Sequence, residues 1–152
     1  MDFNLDNDPT ITSFRTLLFT VRRIRRTMKM LFRSYDLTGA QFSTLTRIPP
    51  EGISLTRLAD LSRADPGNLS GIVDRLEEKG WVERRRSLKD RRVVQVLLLP
   101  DGKEVLKQIV PEYKKTVYAV MKRLKPEDRK MLDELMGKLE ENITSEVVHK
   151  LK

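Results

Sequence analysis

The sequence predicts a mainly helical chain with one small β-hairpin, an α+β fold. Three observations predict it. Two short helical stripes lie end to end between residues 54 and 80, and two apolar, strand-like runs follow at residues 81–99 around an arginine-rich loop. Long amphipathic helices flank this block on both sides. Helix, turn, second helix and hairpin is the order of a winged helix-turn-helix, with a helical dimerisation lobe supplied by both termini. The single compact chain therefore divides into residues 1–36 (N-terminal helix of the dimerisation lobe), 37–100 (the winged block) and 101–152 (C-terminal helices of the dimerisation lobe).

Residues 1–8 are polar, and Asp8-Pro9 supplies a capping carboxylate followed by proline at the first helical position. The helix it opens carries Phe14, Leu17, Val21, Ile24, Met28, Leu31 and Tyr35, a three-four alternation sustained over three heptads. Such a stripe suits packing against other helices. Thr38, with Gln41 three residues on, is a capping box for a helix running to about Ile48. Pro49-Pro50-Glu51-Gly52 stops that helix, and Ile53 is expected to form a short third strand beside the hairpin.

Ser54 is the expected N-cap of a short helix with Leu55, Leu58, Ala59 and Leu61 on one side. Asp65-Pro66 opens the next helix, whose apolar residues Leu69, Ile72, Val73 and Leu76 have helical spacing. Lys79-Gly80 ends it with a cation in the last turn and glycine just beyond. The runs Trp81-Val82-Glu83-Arg84-Arg85-Arg86 and Val93-Val94-Gln95-Val96-Leu97-Leu98-Leu99 are rich in β-branched and apolar residues, as strands require. After them a long helix is expected over residues 101–124, carrying Val105, Leu106, Ile109, Val110, Tyr113, Val117, Val120, Met121 and Leu124, with Pro111 kinking it. Lys125-Pro126-Glu127-Asp128 starts a last helix, striped by Leu132, Leu135, Met136, Leu139, Ile143 and Val147 and ending near Leu151.

Burying Leu69, Ile72, Val73 and Leu76 turns Gly67, Asn68, Ser70, Gly71, Asp74 and Arg75 outward. That face is small at its N-terminal end, so a backbone can approach closely, and Asn68, Ser70 and Arg75 can contact base edges. An ordinary amphipathic surface helix would look the same, and the neighbouring hairpin is what shifts the balance. Six of the nine residues 84–92 are basic, opposed only by Asp90. A basic hairpin beside an exposed helix suits a duplex: helix in the major groove, arginines along phosphates and in the minor groove. Arg57, Arg63, Arg84 and Arg86 are candidate phosphate contacts. On the first helix Arg15, Arg22, Arg23, Arg25, Arg26 and Lys29 form a further basic face. A solvated face is preferred there over a second DNA site, with a partial role toward an anionic ligand left open.

The 152 residues suffice for a real core, and 39% hydrophobic with 34% charged residues is ordinary for a soluble, helix-rich protein. A formal charge of +8 favours a polyanionic partner. No apolar run reaches the ~20 residues of a membrane span, and the acidic start lacks a signal-peptide pattern, so a cytoplasmic location is expected. No cysteine is present, which excludes disulfides and thiol switches. One histidine and no cysteine leave triads, Cys/His pairs and zinc sites without their parts, and no phosphate-cradling glycine motif precedes a helix. Glu146 and His149 form one E-x-x-H, but di-metal bundles need a second copy. No enzyme activity, cofactor or metal is expected.

From residue 37 to about residue 104 the chain resembles the MarR family of transcription regulators. Leu37-Thr38-Gly39-Ala40-Gln41-Phe42, Leu58-Ala59, Val73-Asp74-Arg75-Leu76-Glu77-Glu78-Lys79-Gly80, Val82-Glu83-Arg84 and above all Lys89-Asp90-Arg91-Arg92 carry the resemblance. It implies that Arg92 enters the minor groove, oriented by Asp90; the adjacent Arg91 is expected to assist. It also implies a homodimer whose first helix joins the interface, binding a pseudo-palindromic operator in double-stranded DNA and repressing transcription. Small anionic or phenolic effectors would bind between the helical and DNA-binding lobes, with Phe19 and Arg22 as candidate pocket residues. Two departures stand out: Leu99-Pro100-Asp101-Gly102 replaces the family's Leu-Thr-x-x-Gly, moving the expected cap to Asp101, and Asp65-Pro66-Gly67 opens the second helix unusually. A winged-helix protein-interaction module and a nonspecific architectural DNA-binding protein remain alternatives on sequence. The first lacks a DNA salt dependence, and the second shows one without a specific component.

Overall fold

A computed structural model describes residues 5, 7–62, 66–86 and 93–143. In chain order it contains α1 (Pro9–Arg33), α2 (Gly39–Leu45), β1 (Ile53–Ser54), α3 (Leu55–Ser62), α4 (Pro66–Glu78), β2 (Val82–Arg86), β3 (Val94–Leu98), α5 (Pro100–Met121) and α6 (Pro126–Asn142). This is the mainly α, winged helix-turn-helix fold that the apolar periodicities predict. Asp65 and the run from residue 87 to residue 92 lie outside the described residues, as do Arg63, Glu146, Val147, His149 and Leu151.

The sheet is antiparallel in the order β1-β3-β2. Ile53 pairs with Val96, and β2 pairs with β3 from Val82 opposite Leu98 to Arg86 opposite Val94. Period-two alternation then sends Val82 and Val96 inward, while Arg86 and Val94 at the far end stay exposed.

The cap predictions are resolved one by one. Asp8 accepts from the Thr10 and Ile11 N–H groups, and Thr38 and Gln41 form the reciprocal capping box. Gly80 is left-handed at φ +70°, and the bonds from its N–H to Glu77 O and from Trp81 N–H to Leu76 O make a Schellman end to α4. Three boundaries differ from expectation. The helix starting after Thr38 ends at Leu45 instead of Ile48, because the Thr46 hydroxyl bonds back to Phe42 O and Ser43 O and tightens the chain into a turn. Helix α5 starts at Pro100, with Leu99 O accepting from Lys103 N–H; Asp101 sits in the first turn as a helix-dipole partner instead of serving as cap. That helix ends at Met121, where the Leu124 N–H folds back onto Met121 O, and it continues through Pro111.

Residue contacts divide the chain into two compact units, Met1–Lys115 and Thr116–Lys152. In the first, Leu45, Leu58, Leu69, Val73, Leu76, Val82, Val96 and Ile109 are fully buried. Leu58, Leu69, Val73, Leu76 and Ile109 among them are apolar positions that helical spacing placed on one stripe. Phe32, Phe42 and Tyr113 add an aromatic cluster from α1, α2 and α5, with ring centroids 4.8–6.2 Å apart. In the second unit α6 buries no residue, and Met131, Leu135, Met136, Leu139 and Ile143 all stand exposed. No helix among the described residues is long and apolar enough to cross a membrane.

Candidate nucleic-acid interface

The face of α4 opposite the core is open. Gly67, Asn68, Asp74 and Arg75 are exposed, while Ser70 and Gly71 are partly buried. A Cβ built at Gly71 would meet nothing within 4 Å, so the space at that position is open. Leu69, Ile72, Val73 and Leu76 on the other face hold the helix against the core. On α3, Arg57 is exposed, and its backbone N–H bonds Ser54 Oγ at 3.2 Å, so Ser54 acts in its expected capping role.

Arg84 of β2, expected as a phosphate contact, is engaged within the fold. Its Nη1 bonds Glu77 Oε2 at 2.6 Å, its Nη2 meets Asp74 Oδ1 at 2.7 Å, and its backbone N–H donates to Glu77 Oε1 at 2.8 Å. Nη2 also donates to the Ser70 carbonyl at 3.1 Å. One guanidinium thus fastens the first hairpin strand to three successive turns of α4. Arg86, two residues on and on the same strand, is exposed. Arg63, Asp90, Arg91 and Arg92 lie outside the described residues.

Two ties were not visible in sequence. Lys79, at the end of α4, bonds both the backbone carbonyl and the carboxylate of Asp36, the second at 2.5 Å, and its ammonium lies 4.6 Å from the Trp81 ring centroid. Asp36 is left-handed at φ +51° and closes α1, so the ends of α1 and α4 are clasped together. Arg47 donates to Leu61 O at 3.1 Å and Ser43 O at 2.7 Å, locking α2 to α3. Both pairings join residues too far apart in the chain for any local pattern to announce them.

Two open clefts flank α1. One, of about 640 Å³, is lined by Met28, Phe32 and Leu37 with Arg25, Lys29 and Arg33 at its edge. The other, of about 740 Å³, is lined by Met28, Phe32, Phe42, Val110 and Tyr113 with Arg47 and Lys114. Phe19 and Arg22 line neither: both are exposed further up α1, where the Phe19 ring lies 5.8 Å from the Arg23 guanidinium carbon.

Residues 37–94 match the family model described as MarR family. The chain carries a MarR-family domain. Among relatives of this chain, the transcriptional repressor YetL of Bacillus subtilis is 26% identical over 86% of this chain and 80% of its own length. Sco3205 of Streptomyces coelicolor, a MarR family transcriptional regulator solved in complex with DNA, superposes with a TM-score of 0.79. It is 26% identical and covers 92% of this chain and 94% of its own. AbsC from the same organism shares the fold at a TM-score of 0.82 and 21% identity, covering 96% of this chain and all of its own. The MarR-family match begins just before the capping box of α2 and ends at Val94, the first residue of β3, so it spans the whole helix-turn-helix and the first wing strand.

Proposed function

We propose that this MarR-family chain is a sequence-specific, double-stranded DNA-binding transcriptional regulator, acting as a homodimeric repressor on a pseudo-palindromic operator. The observation that carries it is the open, small-residue face of α4 beside a basic hairpin, in a fold that Sco3205 uses in complex with DNA. In this reading Asn68, Ser70 and Arg75 contact base edges in the major groove, and Gly67 and Gly71 admit the backbone close to them. Arg92 enters the minor groove, with Arg91 assisting and Asp90 orienting it. Arg57, Arg63 and Arg86 contact phosphates, while Arg84 holds the wing against α4.

The lobes at residues 1–36 and 101–152 dimerise, and residues 37–100 read DNA. A small anionic or phenolic ligand would enter the clefts beside Met28 and Phe32, where apolar walls meet Arg25, Lys29 and Arg47. Its effect is a population shift between spacings of the two reading helices. The chain acts in the cytoplasm, without enzymatic chemistry.

Selection of bound sequences from a random duplex pool tests this directly. An enriched inverted repeat, with half-sites about 10 base pairs apart centre to centre, is expected. A pool that stays unenriched, or a repeat whose binding is untouched in Arg92→Ala, overturns the reading or removes the wing from it. Arg57→Ala should weaken selected and random sequences about equally, as a phosphate contact does.

A further inference from the structure

Helix α1 holds seven lysines and arginines and no carboxylate. Arg22, Arg25, Arg26, Lys29 and Arg33 recur three or four residues apart, which places them on one face, and all five are exposed. Among the described residues none of these five meets a carboxylate. Elsewhere the same chain solvates its helices with mixed charge: Glu104 with Lys107, Glu112 with Lys115 and Lys130 with Glu134 lie 3.2 to 4.0 Å apart at helical spacing. Like charges three and four residues apart repel, so α1 keeps an unfavourable arrangement that a polyanion would relieve.

We propose that this stripe is a second duplex-phosphate surface, separate from the one around α4. The proposal rests on the DNA-binding reading above. Three turns of helix from Arg22 to Arg33 span about 16 Å, over which a duplex presents about ten phosphates. That length exceeds a small anion, and Arg22 and Arg26 stand outside the cleft edged by Arg25, Lys29 and Arg33. Between residues 22 and 33 Met30 is the exposed apolar side chain beside this face, and one methionine falls short of the apolar core that a protein partner would need. The stripe also lies about 130° around the helix from Val21, Ile24, Met28 and Leu31, so packing on that apolar side leaves it open.

The test is the salt dependence of binding to a mixed-sequence duplex of about 40 base pairs, which needs no operator. Arg22→Gln/Arg26→Gln/Lys29→Gln should lower the slope of log affinity against log salt by about 2 to 3, close to 0.9 per lost phosphate contact. The charge-matched Lys103→Gln/Lys107→Gln/Lys115→Gln should lower it by less than about 1, and Arg22→Lys/Arg26→Lys should keep it. Circular dichroism of each variant should match the parent, since every substituted side chain is exposed. An unchanged slope in the first variant, or an equal fall in the charge-matched one, overturns the surface; the unchanged slope would point instead to an acidic protein partner. A parent chain that binds no duplex at all overturns the DNA-binding reading, and this surface with it.

Discussion

Asp8 is the most local device in the molecule. Its carboxylate accepts from Thr10 N–H at 2.8 Å and Ile11 N–H at 3.3 Å, and the Thr10 bond first, then the Ile11 bond, holds its pKa below the ordinary aspartate value. A depressed folded pKa means that the unfolded chain binds the proton more readily. The cap's contribution is therefore complete above the ordinary aspartate range near pH 4 and is lost as pH falls through the lower folded value. The helical ellipticity of α1 should decline on acidification below about pH 4, and Asp8→Asn, which can still cap, should remove that component. Superimposable acid titrations of the two chains would contradict this. Gly102 is constrained differently: a Cβ there would lie 2.3 Å from the Trp81 carbonyl oxygen, which also accepts from Leu99 N–H at 2.9 Å. Backbone cannot yield as a flexible side chain can. Gly102→Ala is expected to cost about 2–3 kcal/mol in urea unfolding, and a loss below about 0.5 kcal/mol would show that the α5 start can shift.

At the scale of elements, Arg84 decides how the first hairpin strand sits on α4. Its side chain is 22% exposed, while Glu77 and Asp74 are 38% and 56% exposed, so solvent takes over part of each interaction when the arginine is removed. Arg84→Met should destabilise the fold by about 1–2 kcal/mol and leave the salt slope of DNA binding unchanged. A fall of the slope by about 0.9 would restore Arg84 as a phosphate contact. The ends of α4 were legible because proline at its first position and Lys79-Gly80 at its last act within a few residues. The end of α2 was misplaced because one hydroxyl, on Thr46, competes with the helix for carbonyls. Arg84 read as a free cation because its partners depend on how β2 crosses α4, a tertiary fact. The Lys79 clasp on Asp36 spans 43 residues and leaves no trace in any local period.

For the whole molecule, the helices α1 and α6 carry large apolar side chains that the fold leaves exposed. Phe14, Leu18, Val21 and Ile24 on α1, and Leu135, Met136 and Leu139 on α6, remain exposed, Phe14 at 56%. Contiguous faces of this kind mark an interface, and a symmetric pair of chains would cover them. Sedimentation should give twice the mass of one chain at micromolar concentration. Ile24→Asp should shift the protein toward the single-chain species while the helix-turn-helix core, which does not include Ile24, keeps its unfolding signature. A parent that sediments as one chain would remove the second reading helix from the mechanism. Which faces are apolar was legible from heptad spacing; the depth of the clefts beside Met28 and Phe32 was not, since it depends on Phe42 and Tyr113 arriving from α2 and α5.

The clasp at the end of α4 has an optical consequence. Trp81 is the chain's single tryptophan, and it sits between the last turn of α4 and the first residue of β2, under the Lys79 ammonium and against Gly102. Excitation of that indole therefore samples one junction only, where helix, hairpin and α5 meet. The molecule thus carries its own fluorescent gauge at the joint on which the placement of α4 depends.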